Sequence, residues 1–408
     1  MARACPRKIC HESLSHSPAR CYHLLLTQWW SMLPLLRLLH TADWQIGKSF
    51  GQFDPDEASL LAQARLDAIG RLAAIANQHK VDVVLVAGDV FDAQTVADKT
   101  IHRVFNAMQA FSGQWVLIPG NHDAALAESV WSRAERLGAV PDNVALCLTP
   151  QPLVLDALKL TLLPAPLTQR HTYQDLTAWF DHAETPAQHY RIGLAHGSVQ
   201  GVLDDSIDSA NPITPERVSS AQLDYLALGD WHGVKEINSR CWYAGTPEPD
   251  RFRSNDAGHA LLVSLEAPQA TPCVEILDTG SYRWHQQHYA LRVDSDVDAL
   301  EQWLASLNDH DVVELSLEGT LDLALHHRLE RSLNQAQGRV RSLQMELHRL
   351  RIAPSEEDLA QLAADGYVGE VIDELKNEQH GEHGDTARDA LILLADLLGQ
   401  RRDEEASQ

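Results

Sequence analysis

A chain of 408 residues with 33 basic and 57 acidic side chains carries a net charge of −24, which argues against a broad basic nucleic-acid footprint. If it handles DNA or RNA, then metal ions, a local basic groove or a partner must offset that repulsion. At 44% apolar and 22% charged it has the composition of an ordinary soluble globular protein, long enough for two or three domains.

Residues 1–31 carry Arg3, Arg7, Lys8 and Arg20 against Glu12 and show no clear periodicity. The stretch HLLLTQWW is too short to span a bilayer, and no small-residue cleavage site follows it. Met32 stands immediately before the first apolar run, so 1–31 is expected to be an unstructured extension. No later segment reaches 18 unbroken apolar residues, so no membrane span is expected.

From 33 to 266 strands and helices alternate. LLRLLHTAD reads as a strand, residues 57–80 as an amphipathic helix, and VDVVLVAGD (81–89) as a strand buried on both faces. DKTIHRVFNAMQAF is helical and WVLIPGNHD another buried strand. NVALCL, LVLDALKLTLLP, YRIGLAHGS and LDYLALGDWHG supply further strands, with a helix near 171–183. CWYAG and HALLVSLE complete a second sheet. Pro268, Pro272 and Gly280 mark a linker over 267–286. A small β-α-β-α-β unit follows over 287–353, then an acidic helical region over 354–408 with the apolar stripe ALILLADLL. Six cysteines, at 5, 10, 21, 147, 241 and 273, show no CxxC pair and no zinc-like spacing; they read as reduced thiols in a cytoplasmic protein.

Five of the apolar strands end in short polar clusters: Asp43 with Gln45, Asp89 with Asp92, Asn121-His122-Asp123, His196, and Asp230 with His232. Carboxyl ends of strands in an open α/β sheet converge on one crevice. Singly, these residues read as turn formers, helix caps or a satisfied strand-end histidine. Together they read as a ligand set, because burying so many polar groups without one would cost several kcal/mol each. Mixed oxygen and nitrogen donors without thiolate suit Mn²⁺, Mg²⁺ or Fe²⁺ better than structural zinc. There are enough of them for two ions, a pair suited to phosphoester cleavage.

In that order ADWQ, GDVFD, GNHD, LAHG and GDWH resemble the five blocks of the calcineurin-like metallophosphoesterases. HTADWQIG, VLVAGDVFD, VLIPGNHD and YAGTPEPDRF are similar to the DNA-repair exonuclease branch, typified by the SbcD nuclease subunit. The resemblance implies an α/β two-sheet sandwich flanked by helices, with a small C-terminal α+β capping domain. It implies two divalent ions, Mn²⁺ foremost and Mg²⁺ second. Asp43, Gln45, Asp89 and His232 would hold the first and Asp89, Asn121, His196 and Asp230 the second. His122 would be the general acid, held by a hydrogen bond to Asp92, with Asp123 shaping the loop. Where the family usually has His, this chain has Gln45 and Asp230. Each ion exchanges a nitrogen ligand for oxygen, and the first site is weakened.

The function implied is a metal-dependent phosphodiesterase acting on DNA, an exonuclease or endonuclease in repair, working beside an SbcC-like coiled-coil ATPase, with a homodimer by analogy. The alternatives are a small-substrate nucleotide phosphodiesterase and a weakly active regulatory scaffold of a repair complex. Trp44 and Trp231 could stack on bases or simply pack the loops. Arg251 and Arg253 could meet phosphates or lie in a solvated loop. His380 and His383, three apart, read as tail residues rather than a metal site.

Overall fold

The computed structural model describes residues 35–202, 211–252, 255–352 and 367–379, with part of 381–397. The 1–31 extension, Arg253 and His380 lie outside the described residues.

Strands β1 (Leu36–Thr41), β2 (Val83–Ala87), β3 (Gln114–Ile118) and β4 (Val144–Leu146) run parallel, in that order. Helices α1 (Pro55–Gln78), α2 (Asp98–Met108) and α3 (Val130–Arg136) make the crossovers. Period two divides each strand between two cores. Val84, Val86, Trp115 and Leu117 face the helices, whereas Val83, Leu85, Val116 and Ile118 face a second sheet. Pro55 opens α1 with Asp56 and Glu57 in its first turn, where a fixed φ and negative charge both favour the helix start.

The second sheet contains β5 (Leu153–Leu155), β6 (Leu160–Ala165), β7 (Tyr190–His196), β10 (Tyr225–Gly229), β11 (Lys235–Asn238) and β12 (Cys241–Tyr243), in the order β11-β12-β10-β7-β6-β5. A short ribbon pairs β8 (Ser198–Val199) with β9 (Pro212–Ile213), and α4 (Arg217–Ser220) precedes β10. The expected single strand LVLDALKLTLLP is broken into β5 and β6 by a 3-10 turn. In place of the helix expected near 171–183 there is a short 3-10 segment at Ala178–His182.

The apolar side chains of β6, β7 and β10 meet those of β1, β2 and β3 to form the sandwich core. His40 bridges the sheets there, accepting from the Tyr225 hydroxyl at 3.0 Å and donating to the Leu228 carbonyl at 3.1 Å. Burial pushes its imidazole down to about 3, so it is a neutral core group rather than a ligand.

β13 (His259–Leu265) returns to the first sheet antiparallel to β1 rather than to the second. Residues 267–286, expected as a linker, contain β14 (Cys273–Asp278), hydrogen-bonded along β13. Its prolines sit in the turn before the strand, and its mostly exposed edge position leaves no continuous apolar run to reveal it. β15 (Arg283–Leu291), α5 (Asp294–Ser306), β16 (Asp311–Leu321), α6 (Leu323–Gln337) and β17 (Ser342–Ile352) then form a three-stranded parallel sheet with its own core. Phe50, Phe53 and Phe252 pack against Trp284 and join this unit to the loops at the top of the sandwich. Helix α7 (Tyr367–Glu378) lies in the acidic C-terminal region.

Candidate metal centre

All five polar clusters stand at carboxyl ends of strands. Asp43 and Gln45 follow β1, Asp89 and Asp92 follow β2, and Asn121, His122 and Asp123 follow β3. His196 is the last residue of β7, and Asp230 comes directly after β10. Asp43, Asp89 and His196 are buried and each offers a ligand atom within 4.8 Å of the others. His196 Nε2 lies 3.7 Å from Asp89 Oδ1 and 3.7 Å from Asp230 Oδ1. The Asp230 amide donates to both Asp43 oxygens, at 3.1 and 3.2 Å.

The backbone is bent to bring these groups inward. Asp43, Gln45, Asp89 and Asp230 have φ of 54°, 41°, 53° and 102°, a left-handed region that non-glycine residues rarely occupy and that gathers at functional sites. Close approach also demands glycine at two neighbours. A Cβ on Gly88 would overlap the His196 ring, and one on Gly120 would overlap the Asp89 carboxylate.

The donor set fits a divalent cation. His196 Nδ1 lies 2.8 Å from the Ala87 carbonyl, which can only accept, so Nδ1 carries a proton and Nε2 is the ring atom turned into the pocket to meet a cation. The Asn121 side-chain amide lies 2.9 Å from His196 Nε2 and can turn its oxygen to an ion. Burial, with repulsion from Asp89 and Asp230, pushes the Asp43 carboxyl up to about 8 despite the neighbouring His196. Burial alone would lower His196, but the surrounding carboxylates raise it to about 9. Without a cation the cluster therefore holds protons.

A pH-dependent stability follows. Asp43 rises from 3.8 to about 8 on folding, and His196 from 6.5 to about 9. The stability they lend the metal-free chain is complete at low pH and is lost progressively up to pH 9. A bound cation replaces those protons. The rise in melting temperature on adding Mn²⁺ in place of chelator should accordingly grow from pH 6 to pH 9. A constant or shrinking increment would contradict it.

His122 stands beside the pocket, half-buried, where a cleft of about 180 Å³ is lined by Asp92, Gln94, Asn121, His122, Leu126 and Arg170. Its Nδ1 donates to the main-chain carbonyl of Asp92 at 2.8 Å, while the Asp92 carboxylate stays 3.9 Å away. The tautomer is thus set by backbone rather than by the carboxylate expected from the sequence. Asp123 is fully buried and accepts from Gly120 N at 2.7 Å and Phe91 N at 3.1 Å. It ties the loop after β3 to the loop after β2.

The other half of the site is arranged differently. The Gln45 amide nitrogen lies 3.2 Å from His232 Nε2 and donates to Asp89 Oδ2 at 3.5 Å. Burial pushes His232 down despite the nearby Asp250. Lys48 forms an ion pair with Asp250, and Arg251 donates to Asp250 at 3.0 and 3.2 Å and to His232 Nδ1 at 2.9 Å. Trp44 cannot stack on a base. It is 1% exposed, donates to Thr41 Oγ1 at 3.0 Å and meets Trp115 edge-on, so it is core. Trp231 is partly exposed and lies under Lys235 Nζ, 5.5 Å from the ring centroid.

Sequence reasoning missed Arg65. Buried on α1, its guanidinium donates to the carbonyls of Asp43, Trp44 and Glu248 and to Thr246 Oγ1. The signal was there: Arg65 lies among Leu61, Ala64, Ala68 and Leu72 on the buried face of that helix. Arg65→Met should lower stability by about 3–5 kcal/mol, since it strands buried partners. Denaturant unfolding checks this, and a loss under about 1 kcal/mol would exclude a structural clamp.

The calcineurin-like phosphoesterase family model matches residues 36–264, which contain every candidate ligand. The chain belongs to the calcineurin-like phosphoesterase family. Among curated relatives, the SbcD subunit of the SbcCD nuclease from Bacillus subtilis (strain 168) is 21% identical over 340 residues, 73% of this chain and 83% of the relative. Its counterpart from Escherichia coli (strain K12) is 26% identical over 333 residues, 71% and 80% of the two chains. That of Rhodobacter capsulatus is 33% identical over 97 residues, 22% of each. This phosphoesterase is therefore a metal-dependent enzyme, with a buried Asp/Asp/His site at its centre.

Proposed function

We propose that this phosphoesterase is a divalent-metal-dependent nuclease that hydrolyses DNA phosphodiester bonds in repair, in the cytoplasm, alongside an SbcC-like coiled-coil ATPase. The observation that carries the reading is the buried convergence of Asp43, Asp89 and His196, in a chain similar to the SbcD nuclease subunits over more than 70% of its length. The oxygen-rich, thiolate-free donor set favours Mn²⁺, with Mg²⁺ second.

A divalent ion there supplies Lewis-acid activation of the phosphate and of a water. Asp43, Asp89, Asn121, His196 and Asp230 would hold it. His122, with Nδ1 fixed on the Asp92 carbonyl, would deliver a proton from Nε2 to the leaving oxygen when its ring is charged. The net charge of −24 leaves DNA affinity to metal and partner. Exposed Tyr367, Leu393 and Leu397 in the C-terminal region offer apolar side chains to that partner. Cys147 and Cys241 are free thiols, in keeping with a reducing compartment. A homodimer is proposed by analogy alone. No helix among the described residues is long and apolar enough to cross a membrane.

The test is purified protein with Mn²⁺, with and without the ATPase, on labelled linear duplex and on a chromogenic phosphodiester. Cleavage of duplex that chelator abolishes is the expected result. Turnover of the small diester with DNA left intact in both conditions would replace the nuclease with a small-substrate phosphodiesterase. Turnover of neither would leave a scaffold.

A further inference from the structure

The cleft beside His122 is walled partly by residues that handle no metal and no proton. β6 ends at Ala165, and the loop that follows is fastened to the loop carrying His122. Leu167 N donates to the Pro119 carbonyl at 3.3 Å, and the Leu167 carbonyl accepts from Ala125 N at 2.8 Å. The Leu167 and Ala124 side chains are buried together there. Three positions on, Arg170 is thereby held close to His122, and both line the same cleft.

Of the lining residues, Arg170 alone carries a fixed positive charge. It is exposed and forms no ion pair among the described residues, in a chain whose net charge of −24 makes carboxylates plentiful. Ala93, Ala124 and Leu126 give the cleft an apolar lining, with Leu126 42% exposed. Both ends of the Gln94 amide are committed to bracing the walls. It donates to the Ala124 carbonyl at 2.9 Å and accepts from Val130 N at 2.8 Å. The volume of about 180 Å³ suits one ring rather than a base pair, since an apolar cavity of about 150 Å³ takes a single benzene.

We propose that this cleft is the leaving-group subsite, which takes one nucleoside while Arg170 takes the phosphate on that nucleoside's far side. His122 would protonate the leaving oxygen, so whatever that oxygen carries lies on the His122 side of the scissile phosphorus, where the cleft opens. A guanidinium grips phosphate through two parallel hydrogen bonds. The apolar lining holds the ring without reading its edge, so the subsite tolerates any base. The substrate class that fits is an unpaired nucleotide flanked by two phosphates, as in a single strand or a frayed end. The subsite rests on the metal-dependent reading above and adds what the leaving side must be.

The test is calorimetric binding to the full chain loaded with Mn²⁺. The probes are thymidine bisphosphate, phosphorylated on both sugar hydroxyls, its two monophosphates, and thymidine diphosphate, whose phosphates are adjacent. The bisphosphate should bind about 2–5-fold tighter than the better monophosphate, the worth of one exposed ion pair. Arg170→Met should erase that gain and Arg170→Lys should keep part of it, while thymidine diphosphate should respond to neither. Equal binding of bisphosphate and monophosphate would overturn the subsite. So would a gain that survives Arg170→Met, or an equal loss for thymidine diphosphate. None of these outcomes touches the metal centre. Absence of any Mn²⁺-dependent nucleotide binding would instead bring down the metal-dependent reading, and the subsite with it.

Discussion

Asp89→Asn should cut phosphodiester hydrolysis by at least about 100-fold, since changing even an outer partner of a metal ligand costs about 10–100-fold. Its carboxylate touches both halves of the site. The Asp89 carboxylate lies 3.7 Å from His196 Nε2, accepts from His122 N at 2.9 Å, and meets the Asn121 and Gln45 amides. Asparagine keeps the shape and enters the left-handed region about as readily as aspartate, so the φ of 53° at this position is preserved. What is lost is the charge. Mn²⁺ affinity should fall along with kcat, while the melting temperature of the metal-free protein holds or rises, because one of the crowded carboxylates is gone. Undiminished turnover would remove Asp89 from the site.

His122→Ala should have an effect of another kind. Its ring is anchored on the Asp92 carbonyl outside the ligand cluster, so Mn²⁺ affinity should be unchanged while kcat falls by about 10²–10⁴-fold, the usual contribution of a general acid. The loss should shrink on substrates whose leaving group needs no proton, such as a nitrophenyl diester, and stay full on DNA. Asp92→Ala should cost less than about 10-fold, because the carboxylate stands 3.9 Å off and the carbonyl that holds the ring remains. An equal loss in both variants would show that the carboxylate, not the backbone, sets the ring.

The two residues differ in how directly the sequence reveals their roles. Asp89 was legible because VDVVLVAGD is a local pattern: a continuous apolar run, buried on both faces, that must end where the sheet ends. The same logic placed Asp43, Asn121, His196 and Asp230 at one edge. The Asp92 carbonyl was not legible, since a backbone acceptor leaves no mark in residue identity. Trp44 stayed ambiguous because its neighbours are ligands, and the structure turns its ring into the core against Trp115.

Long-range polar networks were the other gap. Lys48 and Asp250 are separated by 202 positions, and Arg65 reaches Glu248 across 183. No local period encodes such a contact. The strained φ at four candidate ligands was equally hidden, because aspartate and glutamine, unlike glycine, do not advertise a left-handed turn. β14 escaped because an exposed edge strand lacks the apolar run that betrayed its buried neighbours.

Anomalous diffraction from crystals soaked in Mn²⁺ tests the metal centre most directly. A peak is expected within bonding distance of His196 Nε2 and the Asp89 carboxylate, with Asn121 turned to present its oxygen. Saturating Mn²⁺ with no peak among Asp43, Asp89 and His196, or an ion bound only elsewhere, would contradict it.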